Sequence, residues 1–369
     1  MSKKFKFYDI RDLMKSYPEA YYYMVIGERS NGKTFSALDY CLERYAKNSE
    51  QFAYVRRWGE DIRKKNLSEL FSGHAESGHV ASHFPEWTQV YYSSSKFYLE
   101  KVTDDGPVRS EEPIGFAFDL NSMEHYKSIS FPRVTTIIFD EFMSRNGYLP
   151  NEWILFMNML STIIRHRNNV KIIMLGNTVN KYCPYFAEMG LNHIKDMKPG
   201  TIDIYHYGDS KLSVAVEYTG TAVKQGGKAS DVYFSFDNPE LKMITGGEWE
   251  IAIYPHLEMK YRPKDVITNF FVMFEDDILH GEVVCLDTGP FIFLHNKTSP
   301  IKDEDNDIVY TSKPNQRWNY RMCLTKHNDK LSLFIIKCLR ENKIFYSTNE
   351  IGEVFRNYVM WSDSFSIKN

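Results

Sequence analysis

Four largely apolar runs of strand length stand in the first half of the chain: Tyr21 to Ile26 (YYYMVI), Gln51 to Val55 (QFAYV), Val134 to Phe139 (VTTIIF) and Val170 to Leu175 (VKIIML). Runs without polar alternation suit strands covered on both faces, as in parallel sheets. Helical segments separate them. Thr34 to Tyr45 reads as a helix behind a glycine-containing turn. A second helix opens at Pro150 and runs through Ile164, because proline suits the first helical turn. This alternation predicts an α/β domain with a mostly parallel sheet covered by helices. Thr88 to Phe118 departs from it: short aromatic runs broken by SSS and TDDGP read as an antiparallel insert.

Beyond Gly208 the texture changes. Gly220, Gly226, Gly227, Gly246 and Gly247 punctuate a polar stretch. Residues 209–247 therefore read as a linker region between a first domain, 1–208, and a second, 248–369. In the second, strands are expected at 249–254, 268–274, 282–287 and 291–294, with a turn near His280-Gly281 and a helix at about 329–341. That makes a smaller α+β domain.

The first apolar run leads straight into Gly27-Glu28-Arg29-Ser30-Asn31-Gly32-Lys33-Thr34, the full GxxxxGK[ST] pattern of a phosphate-binding P-loop between a strand and a helix. Gly27 and Gly32 let the backbone curl so that its N–H groups face a phosphate, and the helix N-terminus adds a favourable dipole. Lys33 would reach the β- and γ-phosphates of ATP, and the Thr34 hydroxyl would bind Mg²⁺. The run at Val134 ends in Asp140-Glu141. Asp140 would hold the Mg²⁺, and Glu141 would orient and polarise the attacking water. The two motifs together indicate an ATPase of the additional-strand, catalytic-glutamate class, since a GTPase or small-molecule kinase needs no Glu beside this Asp. Asn177, after the next buried run, suits a sensor that hydrogen-bonds the γ-phosphate or the water. Arg165 and Arg167 end the preceding helix (STIIRHR). They can cap its carbonyls, serve a neighbouring subunit as an arginine finger, or do both. Arg56 and Arg57 can contact nucleotide or DNA or stand as surface charge. Lys127 could reach an adjacent active site but reads more simply as a solvated lysine.

Composition adds exclusions. The 369 residues are 43% hydrophobic with a net charge of −3, which argues against a disordered chain and against a basic nucleic-acid coat. No apolar run approaches membrane-spanning length, and the start lacks the apolar core of a secretory signal. The five cysteines are scattered without a CxxC pair, as reduced thiols would be. His74, His79 and His83 lie among Gly and Ser and read as a solvated loop rather than a metal site.

VIGERSNGKT, FAYVRRW, VTTIIFDEF, YLPNEWILFMNMLSTIIRHR and IIMLGNTVNKYCPYF resemble, in that order, the DNA-packaging ATPases of phi29-like phages, compact relatives of the terminase large subunit. The resemblance covers about residues 20–190. It implies that Arg29 acts as the nucleotide-responsive arginine of the terminase-type P-loop. It implies an ATP-driven homopentameric ring in the host cytoplasm, at the portal of an empty procapsid, pumping double-stranded DNA inward with a structural RNA as a possible linker. It also implies a C-terminal domain of RNase H-like fold without nuclease activity. Asp276, Asp277 and Asp287 are present there, but not as the spaced acids of a two-metal nuclease. Another DNA-pumping or helicase-type ATPase, or a P-loop switch without motor activity, remains the alternative. DNA-stimulated turnover and an arginine acting between subunits separate a motor from a switch, and unwinding of a tailed duplex marks a helicase.

Overall fold

The computed structural model describes residues 8–122, 129–145, 147–220, 249, 252–297, 301 and 306–366. The chain divides into two compact units, residues 1–250 and 251–369.

The first unit opens with α1 (Ile10–Ser16), then β1 (Tyr22–Gly27), α2 (Lys33–Asn48) and β2 (Gln51–Arg56). Three short helices follow, α3 (Lys64–Leu67), α4 (Ser72–Glu76) and α5 (His79–His83). The strands β3 (Gln89–Ser93), β4 (Lys96–Thr103), β5 (Gly106–Arg109) and β6 (Gly115–Asp119) lead to β7 (Val134–Asp140), α6 (Glu152–Ile164), β8 (Lys171–Asn177) and α7 (Pro184–Glu188), and β9 (Thr201–His206) and β10 (Ser213–Tyr218) complete the sheet. Its order is β3-β4-β6-β2-β7-β8-β1-β10-β9, with β5 on β4. The six strands from β6 to β10 in that order run parallel, as the apolar runs require. Every residue of β7 is buried, and each large aliphatic side chain taken from water there stabilises the fold by about 1.5–3 kcal/mol. β8 lies between the P-loop strand β1 and the acid-bearing strand β7, which is the additional-strand order. The antiparallel insert is present as β3, β4 and β5, while β6 joins the parallel set beside β2.

Three expectations are corrected here. The linker region cannot begin at 209, because β10 pairs in parallel with β1 and its Val214, Ala215 and Val216 are fully buried. Residues 221–248 lie outside the described residues. Nor is 249–254 a strand where it is described, and Trp249 belongs to the hydrophobic core of the first unit. The three histidines are not in a solvated loop. The buried His74 ring stacks on Phe35 at 3.8 Å between centroids, and its Nε2 lies 2.9 Å from the Phe35 carbonyl. His79 Nδ1 and His83 Nε2 reach Asp39 of α2 at 2.8 and 3.2 Å.

The second unit contains β11 (Val266–Phe274), β12 (Asp277–Leu286), β13 (Gly289–Asn296), β14 (Val309–Thr311), β15 (Tyr320–Met322), α8 (Lys330–Arg340), β16 (Ile344–Tyr346) and α9 (Asn349–Ser366). β11, β12 and β13 form an antiparallel meander. β14 and β15 extend it in parallel beyond β11, and β16 pairs in parallel with β13. The turn expected at His280-Gly281 falls at Glu275-Asp276 instead, where Glu275 has a φ of 54°. Gly281 serves close packing in mid-strand: a Cβ there would lie 2.3 Å from the Phe270 ring. Among the described residues no helix is long and apolar enough to cross a membrane.

Candidate nucleotide-binding site

Parallel strands β1, β7 and β8 all end at the same edge of the sheet, so the residues following them converge. They line a cleft of about 340 Å³ with Arg29, Ser30, Asn31, Gly32, Lys33 and Thr34 on one wall and Asp140, Glu141, Gly176 and Asn177 on the other. The loop curls through left-handed conformations at Ser30 (φ 60°) and Gly32 (φ 92°), the latter capping α2. Gly27 is required by close approach, since a Cβ would fall 1.9 Å from Thr219 Oγ1. The Thr219 hydroxyl accepts from Asn31 Nδ2 at 2.9 Å, tying the loop to the end of β10.

Lys33 is buried at the base of this loop. Its ammonium donates to the Glu28 carbonyl at 2.6 Å, to Asn31 Oδ1 at 3.2 Å and to Asn177 Oδ1 at 3.3 Å. Burial pulls its pKa down from 10.5 to about 8, against the opposing pull of Asp140 and Glu28. The Thr34 hydroxyl lies 3.2 Å from both carboxylate oxygens of Asp140. Tyr54 of β2, buried beside them, donates to Asp140 Oδ2 at 2.8 Å, and both burial and the Asp140 charge push its phenol well above its usual pKa. A hydroxyl and a carboxylate held this close form a hard-oxygen donor set that fits Mg²⁺.

Glu141 stands just past the strand in a left-handed conformation, φ 56°, with its carboxylate exposed. Arg56 Nη2 lies 2.6 Å from Glu141 Oε2. Arg57 behaves differently from its neighbour. It is not a surface charge but a buried cation, paired within the first unit. Its Nε donates to Glu152 Oε2 at 2.7 Å, and its Nη1 and Nη2 donate to the carbonyls of Glu141 at 3.2 Å and Phe142 at 2.5 Å. Glu152 also accepts from the Leu149 N–H and the Tyr185 hydroxyl. Sequence reasoning missed Tyr54, Glu152 and Thr219, whose roles depend on partners 86, 95 and 188 positions away.

Arg165 and Arg167 are not in this cleft. They follow α6 and precede β8, at the opposite end of the strands. The exposed Arg165, itself at φ 54°, donates to the Ile129 carbonyl at 3.0 Å. Arg167 is tied to five backbone carbonyls: Phe131, Pro132, Val134, Ile163 and Ile164. Lys127 lies outside the described residues.

A DNA packaging protein of Bacillus phage B103 is 34% identical over 171 residues, 45% of this chain and 47% of that protein. The DNA packaging protein of Bacillus phage phi29 is also 34% identical, over 170 residues, 45% of this chain and 46% of that one. The chain thus spans, in its match, about half the length of these curated relatives. In fold the likeness extends further. The structure of the bacteriophage Phi-29 viral genome packaging motor assembly matches with a TM-score of 0.55 at 20% identity, over 96% of this chain and 99% of that one. The Phi-28 gp11 DNA packaging motor matches with a TM-score of 0.50 at 17% identity, over 97% of each. The family model of the podovirus DNA encapsidation protein (Gp16) matches residues 1–205, and the chain belongs to that family.

Proposed function

We propose that the chain is an ATP-hydrolysing motor that drives double-stranded viral DNA through the portal into a preformed procapsid. The observation that carries this reading is the convergence of Lys33, Thr34, Asp140, Glu141 and Asn177 at one sheet edge. The loop N–H groups and the start of α2 hold the phosphates, and Lys33 exchanges its loop carbonyls for phosphate oxygens. Thr34 and Asp140 would hold Mg²⁺, which when bound neutralises charge developing on the phosphates. Glu141 orients the attacking water once its carboxylate leaves Arg56. Asn177, whose Oδ1 accepts from Lys33, offers its amide donors to the γ-phosphate, and Arg29 at the rim senses the nucleotide. Arg165, at the far end of the strands from its own cleft, serves the next subunit of a ring, for which a homopentamer is the family precedent, while Arg167 braces the backbone beneath it.

In the second unit, the β13-β12-β11-β14-β15 order supports an RNase H-like fold. Neither β11 nor β14 carries a carboxylate, which supports the loss of nuclease activity. The motor works in the host cytoplasm at the portal vertex, with a packaging RNA as a further partner. Turnover with and without duplex DNA and portal-bearing procapsids tests the reading. Glu141→Gln should bind ATP and not hydrolyse it. Arg165→Ala should do the same, and mixing the two variants should restore part of the turnover, because some interfaces then pair an intact Glu141 with an intact Arg165. DNA-independent turnover, or full activity of Glu141→Gln, would overturn it.

A further inference from the structure

The second unit holds three donors that nucleotide chemistry does not use. His280 and Glu282 stand two apart on β12, so strand alternation puts them on one face. The register pairs His280 with His295 of β13, which brings a third donor directly opposite on the same face. One nitrogen of each imidazole and one carboxylate oxygen lie within 4.8 Å of one another, and all three residues are half-buried. The Phe271 ring stacks on His280 at 4.9 Å between centroids and shields one side.

Each of the three side chains also has a hydrogen-bond partner. The Tyr261 hydroxyl donates to Glu282 Oε2. His280 Nε2 lies 2.9 Å from Asn269 Oδ1, and His295 Nδ1 lies 3.0 Å from the Asn296 carbonyl. An oxygen acceptor on one ring nitrogen selects the tautomer with its lone pair on the other, the arrangement that metal-binding histidines show. The lone pairs then fall on His280 Nδ1 and His295 Nε2.

We propose that His280, Glu282 and His295 bind one divalent transition-metal ion, Zn²⁺ foremost. Two imidazoles and a carboxylate suit zinc, whereas Mg²⁺ and Ca²⁺ take oxygen sets. Three atoms no more than 4.8 Å apart surround a centre at most about 2.8 Å from each. Contraction to the ~2.0–2.2 Å of a formed site asks less than about 1 Å of each side chain. Three protein ligands leave one position for water. The site lies on β12 and β13 of the second unit, whereas Thr34 and Asp140 belong to the first.

The test uses the full chain, stripped with chelator and kept in saturating Mg²⁺ so that the oxygen donors of the first unit do not compete. One equivalent of Zn²⁺ should survive gel filtration, and Co²⁺ should give the visible absorption of a four-coordinate nitrogen–oxygen site. His280→Asn and His295→Asn should each weaken Zn²⁺ by at least about 100-fold and Glu282→Gln by about 10-fold. His193→Asn, at an exposed histidine of the first unit, should change nothing. Should a histidine variant fail to fold, protection of His280 and His295 from carbethoxylation by Zn²⁺ in the unsubstituted chain decides the matter. Failure to retain an equivalent, equal retention by folded His280→Asn and His295→Asn, or absence of protection overturns the proposal. Each outcome is independent of ATP turnover.

Discussion

Arg56 and Arg57 are adjacent in sequence and are expected to respond very unequally to the same substitution. Arg57 and Glu152 side chains are 6% and 1% exposed, so Arg57→Met leaves a carboxylate buried without its cation. Removing one partner of a buried pair costs about 3–5 kcal/mol. The Leu149 N–H and Tyr185 hydroxyl still solvate Glu152, which favours the lower figure. The Phe142 carbonyl, however, loses its buried donor, which moves the cost back up within that range. A net loss of about 3–5 kcal/mol follows, or a fall of roughly 1–2 M in the urea midpoint at a slope of about 2–3 kcal/mol/M. Arg56 pairs with a Glu141 side chain that is 58% exposed, and such pairs contribute about 0–1 kcal/mol, so Arg56→Met should scarcely move the midpoint. Adding Glu152→Leu to Arg57→Met should recover at least half the loss by removing the stranded charge. Because Arg57 also holds the Glu141 backbone, kcat should fall in Arg57→Met more than ATP affinity does. A midpoint for Arg57→Met within experimental error of that for Arg56→Met would refute the reasoning.

Other expectations follow from the same cleft. Tyr54→Phe removes the phenol that orients Asp140, so the Mg²⁺ concentration for half-maximal turnover should rise about 10-fold, and an unchanged Mg²⁺ titration would exclude that role. Lys33 loses its proton in the folded chain near pH 8. Nucleotide affinity should therefore weaken as pH rises through 8, approaching tenfold per unit, and flat affinity from pH 7 to 9.5 would contradict it. The unfolded chain keeps that proton to about 10.5, so this group penalises the fold below pH 8, and its contribution to stability rises with pH between 8 and 10.5. Gly27→Ala should displace Thr219, release Asn31 and weaken both folding and ATP binding, and a wild-type melting temperature would count against the close approach.

What could be read from the sequence is what depends on neighbours along the chain. Gly27 to Thr34 places its donors by local backbone geometry, and VTTIIFDE ends a buried strand in two acids, so both motifs carry their structure with them. Glycine misled in two places because its reason is tertiary. Around Gly220 its density suggested a linker beginning before β10, although SVAVEY has the apolar core of a strand and pairs in the sheet between β1 and β9. At Gly281 it suggested a turn, although the missing side chain makes room for Phe270. The pair Arg56-Arg57 gives no local sign of which residue turns inward, since Glu152 becomes a partner only once α6 packs. His280 and Glu282 share a strand face by alternation alone, but His295 joins them through the β12–β13 register. That register depends on the turn between Leu286 and Gly289, where Gly289 adopts φ 111°. A change of one residue there would move His295 to the opposite face while leaving all three donors in the sequence. The nucleotide site is written mainly in motifs and the donor triad mainly in pairing, and for that reason only the first announces itself in a single sequence.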